Sequence, residues 1–135
     1  MKRPELLVPA GSLEVLKTAI LYGADAVYIG GENFGLRAKA KNFSIEDMTE
    51  GVIYAHERGK RVFVTANIFA HNEDLDGIRE YFHELKKVNP DAVIISDPAV
   101  FTLAKDILPN IEIHISTQSN NTNYGTYNFC YSLGA

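Results

Sequence analysis

The chain has 135 residues, of which 46% are hydrophobic and 22% are charged, and its formal net charge is -4 at neutral pH. This is the composition of a globular protein, and it excludes fibrous, disordered and membrane-embedded classes. The length allows one domain or part of one. The negative net charge does not indicate nucleic-acid binding, although it is compatible with a local basic patch.

The chain has a single cysteine, Cys130, so no internal disulfide can form. Thiolates of this chain alone cannot build a zinc site or an iron-sulfur cluster, and we therefore expect no cofactor held within it. No apolar run approaches ~18 residues, and the start lacks the apolar stretch of a signal peptide. We expect a cytoplasmic protein with no membrane contact.

Short apolar runs rich in β-branched residues alternate along the chain with longer segments of helical period. This pattern predicts parallel strands joined by crossover helices. The runs are nearly continuous in apolar residues, as expected for strands covered on both faces. The predicted strands are Glu5–Val8, Ala26–Ile29, Arg61–Thr65, Ala92–Ile95 and Ile111–Ile115.

Capping residues and stop signals delimit five helices. Serine, asparagine or proline opens four of them, and glycine or proline closes several. Asn72 is the expected cap of the third, and the fifth is the weakest in helix propensity. The predicted helices are Leu13–Tyr22, a segment between the cap Ser44 and the stop Gly59, Glu73–Lys87, Pro98–Leu108 and Tyr124–Leu133.

The repeated units predict an α/β fold. A closed (β/α)8 barrel needs ~250 residues, so residues 1–135 are expected to form one (βα)5 segment, the truncated N-terminal part of a TIM-like barrel. The alternative is a complete five-stranded doubly wound sheet, because repeated units alone do not distinguish the two. The glycines Gly30, Gly31 and Gly35 lack the spacing of a dinucleotide fingerprint.

Polar residues that follow the predicted strands are the candidate site, because both architectures bind ligands at the carboxyl ends of their strands. The fifth strand end is the densest. If side chains alternate there, His114 and Ser116 point inward while Ile113 and Ile115 meet the helices. The catalytic candidates are Asn67, Asp97, His114 and Ser116, and Thr117 and Gln118 are candidates for substrate binding.

Two of these candidates have competing interpretations. Asp97 stands before Pro98, where a carboxylate either binds a ligand or simply caps the helix. His114 and Ser116 are two residues apart, which places a base and a hydroxyl on one face as a serine hydrolase needs, but spacing does not establish that they pair. The G-x-S-x-G and H-E-x-x-H motifs are both absent.

The longest connection, Gly30 to Phe43, carries three cations at alternate positions, Arg37, Lys39 and Lys41. Long loops in compact domains are commonly functional, and spaced cations suit a phosphate, a carboxylate or a nucleic-acid backbone. We assign these three residues to substrate binding. A merely solvated loop is the alternative.

Short segments in a fixed order carry a resemblance across essentially the whole chain, among them YGADAVY at Tyr22 to Tyr28 and HISTQ at His114 to Gln118. The others are Pro4 to Leu7, Pro9 to Ser12, Phe34 to Ala38, Tyr54 to His56, Val64 to Asn67 and Ser96 to Pro98. Together they resemble the N-terminal part of the collagenase-like peptidases, which are peptidases of unknown catalytic type, family 32.

This resemblance implies several activities. Some members are linked to proteolysis, others resemble enzymes that hydroxylate a pyrimidine of tRNA or ribosomal RNA, and others act in oxygen-independent quinone hydroxylation. In the hydroxylating branches it implies an iron-sulfur cluster held by four cysteines beyond this portion, to which Cys130 does not belong.

Three functions are therefore weighed. We expect first a peptidase acting on peptides, then an RNA-modifying enzyme, then a non-catalytic binding module. The isolated segment is expected to be inactive. Its open sheet edges predict self-association or contact with a C-terminal part.

Overall fold

The computed structural model of the protein describes residues 2–30, 43–67 and 70–135. Within them, five strands alternate with five α-helices. The strands are β1 (Leu7–Pro9), β2 (Ala26–Gly30), β3 (Arg61–Ala66), β4 (Ala92–Ile95) and β5 (Glu112–Ile115). The helices are α1 (Leu13–Leu21), α2 (Ile45–Glu57), α3 (Leu75–Val88), α4 (Pro98–Ile107) and α5 (Tyr124–Ser132). None of the helices in these ranges is long and apolar enough to cross a membrane.

All five strands are parallel, and their order in the sheet is β1-β2-β3-β4-β5. Each new strand is therefore added on the same side of the preceding one. A doubly wound sheet reverses its strand order at a switch point, and this order has no reversal. It is the order in which a (β/α)8 barrel adds its strands.

The two faces of the sheet differ in what covers them. Alternate strand residues, such as Val27, Val64 and Ile95, pack with the buried faces of α1, α2, α3 and α4 in one large apolar cluster. The opposite face holds a small cluster made of strand residues alone, built on Ala26, Phe63 and Ala92. All four helices thus lie on one face, which makes the sheet a section of barrel wall and leaves the second face as its inner surface.

The predicted elements are confirmed, with their bounds shifted by about two residues or fewer at nearly every end. The caps Ser12 and Ser44 accept hydrogen bonds from the backbone N–H groups of Val15 and Asp47 at 3.2 Å each. Apolar side chains at helical spacing then bury one face of each helix against the sheet.

Two boundaries differ from expectation. Asn72 does not cap α3, because residues Asn72–Asp74 form a 3-10 turn and the α-helix begins at Leu75. The Asp74 carboxylate accepts from the His71 N–H at 2.9 Å and closes that turn. The first strand starts at Leu7 rather than Glu5, since the Leu6 N–H donates to the Asp25 side chain at 2.8 Å.

Aspartates fasten the amino ends of the strands. Asp25 precedes β2 and accepts from Leu6 N–H, and this hydrogen bond holds the pKa of Asp25 below its ordinary value, with Lys60 adding to the effect. Asp91 precedes β4 and accepts from Val62 N–H at 2.7 Å and from His56 Nε2 at 2.9 Å. These contacts stabilise the amino end of the sheet, whereas (β/α)8 barrels bind their ligands at the opposite end.

Candidate functional site at the inner face

Three polar side chains form a row where the strands end. Asn67, Ser96 and Ser116 each stand one residue beyond the paired residues Ala66, Ile95 and Ile115. The Ser116 N–H donates to the Ile95 carbonyl at 2.9 Å and so continues the ladder. Because side chains alternate along a strand, all three belong to the inner face at the carboxyl end. We call this set the rim row.

The rim row is largely sheltered from solvent although it is polar. Ser96 and Ser116 are each 7% exposed, and the Ser96 hydroxyl donates to Asn67 Oδ1 at 3.5 Å. Among the described residues, no acceptor lies within hydrogen-bond distance of the Asn67 amide N–H2 group, so this group can donate to a ligand. Hydroxyl and amide groups in a sheltered row can hydrogen-bond the edge of a small polar molecule.

Both carboxylate oxygens of Asp97, a catalytic candidate, accept hydrogen bonds from backbone N–H groups. Its Oδ1 accepts from the N–H groups of Ala99 and Val100 at 2.7 and 3.3 Å and caps α4. Its Oδ2 accepts from Ala70 N–H at 3.0 Å, which ties the segment after β3 to the start of α4. The carboxylate therefore shapes the rim by holding two connections together: Oδ1 caps α4, and Oδ2 accepts the long-range hydrogen bond from Ala70.

His114 lies one row below the rim on the inner face, beside Thr65 and Ile94 in the register. Its ring meets Phe63 edge-on, with centroids 5.1 Å apart and an interplanar angle of 76°. Ile113 belongs instead to the helix-side cluster and Ile115 packs against it. The alternation expected for β5 is thus confirmed.

A hydrogen-bonded serine-histidine pair, as in a serine hydrolase, is not formed between His114 and Ser116. The polar partner of His114 among the described residues is Glu112, whose Oε2 lies 3.1 Å from His114 Nε2. Ser116 has its own interactions, including its carbonyl, which accepts from the Ser119 hydroxyl at 2.8 Å. His114 and Ser116 share a face without a hydrogen bond between them.

Sequence reasoning missed a charged group beneath His114. Arg61, at the start of β3, donates to Glu112 at 3.0 Å and to Glu5 at 3.3 Å. Its guanidinium also lies 4.8 Å from the centre of the Phe63 ring, in cation–π contact. The two-residue period of a strand could have indicated this contact, because it places Glu112 on the same face as His114 and Ser116. In the same way it places Arg61 on the face of Phe63 and Thr65.

The described residues include only some of the predicted substrate-binding residues. Arg37, Lys39 and Lys41 lie outside the described residues. The two ends of their segment meet at the carboxyl end of β2, where Phe43 N–H donates to the Gly30 carbonyl at 2.9 Å. Thr117 is exposed in a 3-10 turn next to Ser116, and Gln118 belongs to the same turn, with its side chain outside the described part.

A cavity of about 420 Å³ lies behind the rim, on the helix side between α4 and α5. Its wall is mainly apolar, with Phe101, Ile115 and Phe129 prominent, and Asp97 and Cys130 also line it. The single thiol thus faces the outer layer and not the inner surface. Over the described ranges, no three His, Cys, Asp or Glu side chains come together as a metal site.

A parallel βα wall whose polar side chains gather on one inner face defines a section of an α/β-barrel protein. The sequence profile of peptidase family U32 matches residues 11–135, and the chain belongs to this family. A solved U32 peptidase structure shares the fold, with a TM-score of 0.64 at 14% identity over 86% of this chain and 49% of that chain.

Curated relatives are closer in sequence. The chain is 48% identical over 128 residues, 95% of its length, to a tRNA hydroxylation protein of Bacillus subtilis. It is 42% identical over 116 residues, 86% of its length, to a 23S rRNA 5-hydroxycytidine synthase of Escherichia coli. It spans 30% of the first relative and 17% of the second.

Proposed function

We propose that this chain forms the N-terminal barrel section of an RNA hydroxylation protein, and that the target pyrimidine lies on the inner face at the rim row. One observation carries the proposal, namely the relatedness of nearly the whole chain to the tRNA hydroxylation protein of Bacillus subtilis. It favours RNA modification over the proteolysis that we expected first from the family resemblance.

The rim row supports the proposal by its chemistry. A pyrimidine offers ring and exocyclic nitrogen and oxygen atoms at its edge, and Asn67, Ser96 and Ser116 supply donors and acceptors at one level of the sheet. Two of the three are nearly shielded from water, which strengthens their hydrogen bonds to a bound base. Phe63 provides an apolar floor below them.

The cationic segment supports the phosphate side of the same proposal. Its ends, Gly30 and Phe43, meet at the carboxyl end of β2, beside the strand whose end carries Asn67. We propose that Arg37, Lys39 and Lys41 contact the RNA backbone, which positions the nucleotide without reading its sequence. The RNA substrate also implies a cytoplasmic protein.

Hydroxylation replaces a C–H bond by C–OH and therefore needs an oxygen source and an oxidant. The residues of this chain do not fit an iron-sulfur cluster, because its only cysteine, Cys130, lines the outer cavity. We therefore propose that any cluster is held by cysteines outside this chain. The part assigned to this chain is to bind the base, orient it and exclude water.

The test is complementation. The full-length protein is expressed in a host that lacks its own tRNA hydroxylation protein, and nucleosides from total tRNA are measured by mass spectrometry. Wild-type protein should restore the hydroxylated pyrimidine. Asn67→Ala should lower its level roughly tenfold, because one hydrogen bond to the base is lost.

Asn110→Ala provides the matched control, since Asn110 is exposed in the turn before β5 at the other end of the sheet. It should leave hydroxylation unchanged. Wild-type protein that restores no hydroxylated nucleoside and instead cleaves peptides would overturn the proposal and support the peptidase interpretation.

A further inference from the structure

The contact between His114 and Glu112 fixes which ring nitrogen carries the proton. A carboxylate only accepts hydrogen bonds, so His114 Nε2, 3.1 Å from Glu112 Oε2, must be the donor. Within the described residues, Nδ1 has no hydrogen-bond partner. A neutral His114 held in this way is therefore the Nε2–H tautomer, with a free lone pair on Nδ1.

Glu112 is itself held from neighbouring elements. Arg61 Nη2 donates to the same Oε2 atom at 3.0 Å, and Arg61 Nη1 reaches Glu5 Oε2, ahead of β1, at 3.3 Å. Phe63 contacts both Arg61 and His114: the Arg61 guanidinium carbon lies 4.8 Å from the centre of the Phe63 ring, and the centre of the His114 ring lies 5.1 Å from it. The imidazole and the carboxylate are thus both fixed on the inner face.

Ion pairs between side chains as exposed as these contribute little to stability. The side chains of Arg61, Glu112 and His114 are 39%, 62% and 40% exposed, and exposed pairs are typically worth less than about 1 kcal/mol. Stability alone gives little reason for three ionisable groups on the inner wall of a barrel, where apolar residues are usual. Orientation of the histidine gives a better one.

We propose that Glu112 is a positioning residue that holds His114 as the Nε2–H tautomer, so that Nδ1 accepts a hydrogen bond from an N–H group of the bound pyrimidine. Both bases suit this acceptor, since uridine carries N3–H and cytidine carries an exocyclic N4–H2 group. The identity of the ligand rests on the proposed function, whereas the tautomer rests on the contacts of β5 and β3.

The test measures the tautomer and the activity separately. The full-length protein is labelled with ¹⁵N-histidine, and ring nitrogen shifts of His114 are assigned by difference against His114→Gln. Wild-type protein should show protonated Nε2 and unprotonated Nδ1. In Glu112→Gln, the amide can donate as well as accept, so a mixture of tautomers should replace the single form. tRNA hydroxylation should fall in proportion to the fraction of His114 in the other tautomer, roughly twofold for an equal mixture.

Glu50→Gln is the matched control. Glu50 is a similarly exposed carboxylate, 58% exposed, in a 2.8 Å ion pair with Lys17 on the outer helical layer. This variant should change neither the His114 shifts nor hydroxylation. Wild-type protein with protonated Nδ1 overturns the tautomer assignment.

Other outcomes bear on the role in the reaction. A mixed tautomer in Glu112→Gln with undiminished hydroxylation overturns the positioning role. If wild-type protein shows the expected tautomer but hydroxylates no RNA, the proposed function fails while the assignment of His114 stands, so the two failures are distinguishable.

Discussion

Replacing Asp97 by alanine tests whether this carboxylate acts through the backbone. The substitution removes the cap of α4, which costs about 1 kcal/mol, and the charged hydrogen bond to Ala70 N–H, which is worth about 1.5–3 kcal/mol. We expect the free energy of unfolding to fall by about 2.5–4 kcal/mol in total. Urea denaturation followed by circular dichroism measures this loss.

Ser44→Ala is the control for the cap alone, because within the described ranges the Ser44 hydroxyl accepts just the local hydrogen bond from Asp47 N–H. It should cost about 1 kcal/mol. Asp97→Asn retains a capping oxygen but turns an N–H2 group toward Ala70, so its cost should correspond to the lost long-range hydrogen bond. Asp97→Ala that matches Ser44→Ala in stability yet abolishes hydroxylation would refute this reasoning and show a direct role on the substrate.

Three further predictions follow from charge and exposed surface. The hydrogen bond from Leu6 N–H lowers the pKa of Asp25, so the ionised Asp25 stabilises the fold at pH values above its ordinary pKa of 3.8. The difference in unfolding free energy between wild type and Asp25→Asn should therefore shrink as the pH falls through the lowered pKa. Equal differences at neutral and acid pH would contradict this. Arg37→Ala should weaken tRNA binding and reduce its salt slope by about 1, whereas Lys105→Ala on the outer helix α4 should not, as binding titrations at several salt concentrations will show. The isolated 135-residue chain should self-associate, because β1 and β5 each have one strand neighbour and α5 exposes aromatic side chains; a monomer in analytical ultracentrifugation would contradict this.

The fold was predictable because local signals and burial agree along this chain. The strand Ala92–Ile95 was predicted to the residue, since a β-branched run stands between Pro90 and Pro98. The choice between a barrel wall and a doubly wound sheet was not predictable from periodicity, because it depends on strand order. Asn72 was misassigned because the Asp74 side chain made a competing turn with His71.

The site was predictable where alternation along a strand decides it. His114 is on the inner face as expected, but its partner Glu112 does not stand out in the sequence, because it is a single charged residue in a run of mainly apolar residues. The contacts of Arg61 with Glu112 and Glu5 join residues that are 51 and 56 positions apart. Such contacts follow from strand order and register, which single-strand patterns do not contain.

Photocrosslinking tests most directly whether RNA meets the inner face. A substrate tRNA with 4-thiouridine at the target position is irradiated with the full-length protein, and the crosslinked peptides are mapped by mass spectrometry. Crosslinks should fall within residues 61–67, 92–97 or 111–119, which carry the rim row and His114. Crosslinks confined to the amino ends of the strands, at residues 23–25 or 89–91, or to the outer helices would contradict this placement.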